Sequence, residues 1–313
     1  MKADVLVAEI GSTTTLINAF CGIRSGEPKF IGQGQAPTSV LEGDVRIGLN
    51  GAIEDLKANL GADKIEYGEM LATSSAAGGL RMCVHGLVYD MTVKAAEAAA
   101  LGAGAIVTMA TAGKLSEYDI EDLKEAKPNL ILLAGGTDYG EKETALFNAR
   151  MIAASGVKAP VIYAGNVQNK RAVEDIFQKA GISCTVTENV YPKLDKLNIE
   201  PARKIIHQVF EEHIIKAPGM EHIRDMVTGH IMPTPGAVME AVQLAYNEIG
   251  DVVAVDIGGA TTDVHSVTGG SEEIGILLTT PEPFAKRTVE GDLGLYVNAK
   301  NLVNRIGADA LNA

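Results

Sequence analysis

Tryptophan is absent from the 313 residues, and all aromatics together make up only 4%. Packing must therefore rest on Ala, Val, Ile and Leu, which suits helices laid against a mostly parallel sheet. Cysteine is scarce. Cys21, Cys83 and Cys184 have no metal-ligand spacing, and an odd, scattered set fits reduced thiols. Positive charge is also short, with 27 Lys and Arg against 40 Asp and Glu, a net charge of −13. That balance argues against nucleic acid or an anionic membrane as the main partner. It does not exclude a local phosphate site, where backbone N–H groups and a metal supply the positive potential. No apolar run reaches membrane-spanning length; the richest, Ala95–Ala112, is broken by Glu97. His207, His213, His222 and His230 lack zinc-type spacing, and His265 has no visible partner, so all read as solvated or structural. The opening Met1-Lys2-Ala3-Asp4 runs into a strand without a signal-peptide pattern, so the expected location is the cytoplasm.

What is present is a folded composition, 46% hydrophobic and 21% charged, in a chain long enough for two or more domains. The stretch Val252–Val267, VVAVDIGGATTDVHSV, reads as a buried strand, an acid, a Gly-Gly turn, hydroxyls and a second strand. Such a hairpin tip can wrap a phosphate, because glycines admit close approach of N–H groups and hydroxyls add donors. A strand-end carboxylate can hold Mg²⁺ through its water shell. Val5–Phe20, VLVAEIGSTTTLINAF, repeats the design. Two like hairpins far apart in sequence imply two related halves facing a common cleft.

Along the chain, strands are expected at Asp4–Ala8, Thr15–Phe20, Lys29–Gln35 and Met70–Thr73, with a helix from Asp44 to Leu60 before the last of them. After a helix at Met91–Leu101, strands at Ala105–Ala110, Asn129–Ala134, Pro160–Ala164 and Ser183–Val186 alternate with helices, which indicates a parallel sheet. This segment either continues the first half's sheet or is a small inserted α/β domain, and its length favours the insert. Helices follow at Glu200–Ile215 and Ala237–Ile249, then the second hairpin, then a helix over Tyr296–Ile306. Arg287 reads as a surface or ion-pair residue within reach of that hairpin. The organisation expected is 1–100 first lobe, 101–190 α/β segment, 191–250 helical connection and 251–313 start of a second lobe.

The paired hairpins resemble the phosphate 1 and phosphate 2 motifs of the actin, Hsp70 and sugar-kinase superfamily. The resemblance implies an α/β, ribonuclease-H-like ATPase fold of two lobes with ATP and Mg²⁺ between them. It casts Asp256 as the Mg²⁺-water ligand and Asp256, Asp263 and Glu9 as the catalytic carboxylates. Gly11, Ser12, Thr13 and Thr14 would cradle phosphates from one side, and Gly258, Gly259, Thr261 and Thr262 from the other. The superfamily usually has Asp where this chain has Glu9; the extra methylene displaces the carboxylate by about a bond length, which affects hydrolysis more than binding. Gly135-Gly136 resembles the superfamily's adenosine motif but lies between the two hairpins instead of after them. It is equally an ordinary strand-to-helix turn. So little chain follows the second hairpin that a fragment of a longer protein is expected.

The wording DVLVAEIGSTTT, NLILLAGGTDYG, VVAVDIGGATTDVHSV and RTVEGDLGLYVNAKNL resembles one family closely. It is the MutL or GlmL family encoded with adenosylcobalamin-dependent glutamate mutase, unrelated to the mismatch-repair protein of the same name. The resemblance implies an ATP-dependent, chaperone-like reactivating factor for that mutase, similar to the large subunits of diol dehydratase reactivases. It leaves a homo-oligomer open. Two other classes fit the same cleft: a small-molecule kinase, and a non-catalytic nucleotide-binding scaffold.

Overall fold

The computed structural model describes residues 1–76, 78–278 and 280–307, so the last six residues of the expected second lobe lie outside it. The chain opens as an antiparallel meander of β1 (Lys2–Ile10), β2 (Thr14–Cys21) and β3 (Lys29–Pro37). Alternation sets its inner face: Thr15, Ile17 and Ala19 of β2 are fully buried. Helix α1 (Val45–Leu60) covers that face. Asp44 caps it, accepting from the Arg46 N–H at 2.9 Å, and Gly61 closes it in the left-handed region at φ +60°. Leu49 and Leu56 of α1 are fully buried, each worth about 2 kcal/mol. Gly34 of β3 permits the contact, since a Cβ there would lie 2.2 Å from the Ala52 carbonyl oxygen. β4 (Glu66–Ser74) then pairs parallel with β1.

A second sheet begins at β5 (Arg81–Gly86). It continues through α2 (Lys94–Gly102), β6 (Ile106–Ala112), α3 (Glu117–Ala126), β7 (Leu130–Leu133), α4 (Glu143–Ala154), β8 (Val161–Tyr163), α5 (Lys170–Lys179) and β9 (Cys184–Val186). All pairings are parallel, in the order β6-β5-β7-β8-β9. The alternating rhythm read from the sequence is present, with one strand added at its head: β5 and most of α2 lie upstream of position 101. Ser116 and Asp119 start α3 with a reciprocal capping box.

After α6 (Glu200–Ile214), the short β10 (Ile231–Pro233) returns to the first sheet, parallel to β4. That sheet therefore runs β10-β4-β1-β2-β3. Helix α7 (Thr234–Ile249) leads to β11 (Val252–Ile257) and β12 (Thr262–Val267); after α8 (Glu272–Gly275), β13 (Ala285–Glu290) completes an antiparallel sheet ordered β11-β12-β13, and α9 (Ala299–Ile306) follows. β11 corrects the expectation of a buried strand. It is an edge strand, and Val253, Val255 and Ile257 are 67%, 56% and 55% exposed.

The main core joins the first sheet, α1, α2 and α6 to one face of the parallel sheet. A second core lies between that sheet's other face and α3, α4 and α5. A third, small one ties Met239 and Val242 of α7 to Val267 and Ala285 of the last sheet. No helix among the described residues is long and apolar enough to cross a membrane.

Candidate functional site

The two hairpins are built alike in three dimensions. Glu9 pairs with Leu16 across the first, and Asp256 with Asp263 across the second. Each tip is closed by the same bond at the same length: Gly11 N–H donates to the Thr14 carbonyl at 2.9 Å, and Gly258 N–H to the Thr261 carbonyl at 2.9 Å. The tips touch. A Cβ on Gly259 would sit 2.4 Å from Thr13 Oγ1, so only glycine allows the approach.

Together they line a cleft of about 480 Å³. Glu9, Gly11, Ser12, Thr13 and Thr14 line it from the first hairpin, and Asp256, Gly258, Gly259, Thr261 and Asp263 from the second. The N-terminal end of α7 adds Thr234, Pro235 and Val238. A helix N-terminus opening on the cleft favours an anion there. The segment after β13 grips the second tip from behind. The N–H groups of Leu295, Tyr296 and Val297 donate to the Gly258 and Gly259 carbonyls, and Asn298 Nδ2 donates to the Ala260 carbonyl at 2.7 Å. With its carbonyls engaged and the Gly258 N–H closing the turn, the tip has the N–H groups of Gly259 and Ala260 without an acceptor among the described residues.

Thr262 does not join them. Its hydroxyl donates to the Leu293 carbonyl at 2.6 Å. The register explains this: Thr262 occupies the place of Thr15, whose hydroxyl meets Thr38 Oγ1 at 3.0 Å beneath the first tip. In a strand of period two, Thr261 and Thr262 cannot both face the cleft. Gly135 and Gly136 also lie elsewhere, after β7 in the parallel sheet, and line none of this cleft.

The electrostatics centre on carboxylates. Burial, and then the charge of Asp256, push the Glu9 carboxyl up from 4.5 to about 7 against a hydrogen bond from Thr234 Oγ1 at 3.2 Å. Asp256 is raised by burial and by Asp263, and Arg287 opposes this. Asp263 is not free to orient a water by itself. Arg287 Nη2 and Nε donate to its Oδ1 at 2.6 and 2.9 Å, with both side chains nearly buried, and Thr261 Oγ1 donates to its Oδ2 at 3.2 Å. Arg287 Nη1 continues to the Leu101 and Ala105 carbonyls at 3.1 and 3.3 Å, which joins the second hairpin to the end of α2.

The sequence reading missed Thr234 and underrated Arg287. A lone threonine between Pro233 and Pro235 at a strand-to-helix junction is the available signal for the first. For the second it is the spacing of Ala285 and Arg287 on the buried face of a strand, which a run such as AKRTVE conceals.

The Glu9 shift has a testable consequence. An unfolded glutamate releases its proton near 4.5, whereas the folded protein holds it to about 7. Glu9 therefore contributes stability that is full below about 4.5 and lost as pH rises to about 7, up to about 3 kcal/mol. Denaturant unfolding of the wild type and Glu9→Gln across that window should show the variant gaining relative stability as pH rises. A constant difference would contradict the assignment.

The model of the family described as MutL protein matches residues 5–313. Protein MutL of Clostridium tetanomorphum is 46% identical over 281 residues, which covers 87% of this chain and 61% of that protein. The chain thus spans less than two thirds of that relative's length. Among solved structures, a nucleotide-free acetone carboxylase, from work on ATP-dependent acetone carboxylation, aligns at 18% identity with a TM-score of 0.38, over 92% of this chain and 48% of its own. Staphylococcus aureus homoserine dehydrogenase at pH 7.0 aligns at 10% identity with a TM-score of 0.23, over 74% and 75%. The match over nearly the whole chain, together with the close relative, establishes that this chain belongs to the MutL protein family.

Proposed function

We propose that the cleft binds ATP with Mg²⁺ between its two hairpins. We further propose that the protein is an ATP-dependent accessory and reactivating factor for adenosylcobalamin-dependent glutamate mutase. The observation that carries the nucleotide reading is the meeting of two like tips, Gly11–Thr14 and Gly258–Thr261, at one cleft. The order β3-β2-β1-β4-β10, with the first three strands antiparallel and the last two parallel to β1, supports a ribonuclease-H-like first half. The mutase assignment rests on the family motifs of the sequence.

The residues present fit Mg²⁺. The charge of Asp256 raises the proton affinity of Glu9, and that of Asp263 raises the proton affinity of Asp256, which is the demand a cation meets. Among the described residues no group of three or more His, Cys, Asp or Glu could hold a metal directly. That suits an ion kept by one or two carboxylates, waters and phosphate oxygens. Asp256 and Glu9 would hold it, and its contribution when bound is to neutralise phosphate charge. Ser12, Thr13 and the N–H edge of the second tip bind and orient phosphate oxygens. Asp263, held by Arg287, positions Thr261. Ligand that grips both tips better in a closed than an open arrangement biases the lobes toward closure.

A kinase is the second reading, because a carboxyl near 7 is matched to general-base work. Phosphate release from Mg-ATP in water separates the two. Turnover without an acceptor is the expected result; strict dependence on an added small molecule would transfer the assignment to a kinase.

A further inference from the structure

We propose that the parallel sheet carries a second ligand site, for a mononucleotide-like molecule with a phosphate and a planar ring, at the ends of β5 and β7. The order β6-β5-β7-β8-β9 is, in chain order, 2-1-3-4-5. The connection from β5 runs outward to β6, and the next runs back across to β7. Open sheets of this order bind ligands outside their carboxyl ends where the direction reverses, and flavin mononucleotide is one such ligand. Here the reversal falls between β5 and β7, beside the Gly135-Gly136 turn that the cleft leaves out.

Three features at that point fit an occupant. Gly135 and Gly136 are buried, yet among the described residues no acceptor meets the N–H of Gly135, Gly136 or Thr137. Buried backbone donors without partners are rare. Successive N–H groups around left-handed glycines, here at φ +134° and +70°, form an anion-binding concavity. The turn is held in shape without a ligand, because Asn189 Nδ2 donates to the Gly136 carbonyl at 2.9 Å and Asn166 N–H to the Gly135 carbonyl at 3.1 Å.

The second feature is His85, fully buried at the penultimate position of β5 and in register with Leu133 of β7. Its Nδ1 meets Thr111 Oγ1 at 2.7 Å, but its Nε2 has no partner. The third is aromatic. Tyr89 follows β5, Tyr139 follows β7, and they are 49% and 77% exposed in a protein with few aromatics. Exposed rings after both strands that flank the reversal, Tyr89 at the start of the helical turn Tyr89–Val93 and Tyr139 in the loop after β7, suit stacking on a planar group.

Flavin fluorescence tests this. FMN should be quenched saturably by the wild type and displaced by inorganic phosphate, and riboflavin, which lacks the phosphate, should bind more weakly. Replacing both exposed rings, Tyr89→Ala with Tyr139→Gly, leaves the core untouched and should weaken FMN about tenfold or more. Gly259→Val, in the other cleft, should leave FMN binding unchanged. Absence of saturable FMN binding overturns the site, as does equal affinity for riboflavin, or loss of binding in Gly259→Val with retention in the tyrosine variant. The ATP reading is independent of every one of these outcomes.

Discussion

Asp256→Ala is expected to abolish the Mg²⁺ dependence of ATP binding and to lower ATP turnover by at least about a hundredfold. Asp256 is the strand-end carboxylate of the second hairpin, lines the cleft, and shares its field with Glu9 and Asp263. Removing it also removes a charge that raises the Glu9 carboxyl. The variant should therefore carry a second signature: Glu9 titrates lower than about 7, as seen by carboxyl NMR of the ligand-free protein. Asp256→Asn should reproduce both effects with less structural change. Unchanged Mg-ATP affinity in either variant would remove Asp256 from the site.

Arg287→Leu is expected to cost about 3 to 5 kcal/mol, among the largest single losses in the molecule. The guanidinium is buried and satisfies three acceptors: Asp263 and the carbonyls of Leu101 and Ala105. Its loss leaves a carboxylate stranded in a site with almost no solvent and cuts the polar link from the last sheet to α2. The double variant Asp263→Leu with Arg287→Leu should recover much of the loss, because a removed pair costs less than a broken one. Thermal or denaturant unfolding of the three variants reads this. A loss below about 1 kcal/mol in the single variant would show an ordinary surface pair.

The parts of the fold that were legible are those where local chemistry and tertiary role agree. Asp44 and Gly61 bound a helix of regular apolar spacing, and both cap it. The hairpins were legible because the chain states them twice, and the repeated acid, Gly and hydroxyl pattern corresponds to repeated backbone geometry. The failures have physical causes. Arg81–Gly86 is an interior strand of its sheet, but Arg81, His85 and Gly86 hide the β-branched signal that a buried strand usually shows. β13 carries one of its two buried residues as an arginine, whose burial is made tolerable by Asp263 on the neighbouring strand. β10 has three residues and ends in proline, and only the waiting edge of β4 makes it a strand. In β11 an apolar run without alternation predicts burial on both faces, yet the strand is covered on one. At the site, the choice between Thr261 and Thr262 depends on register, which composition does not encode.

The central claim is that Gly11–Thr14 and Gly258–Thr261 grip one phosphate chain. A crystal structure with Mg²⁺ and a non-hydrolysable ATP analogue tests it most directly. The expected result is phosphate oxygens within hydrogen-bond reach of Ser12 or Thr13 on one side and of the Gly259 and Thr261 N–H groups on the other, with the ion's waters on Asp256. Nucleotide seated away from both tips, or held by one tip alone, would contradict it.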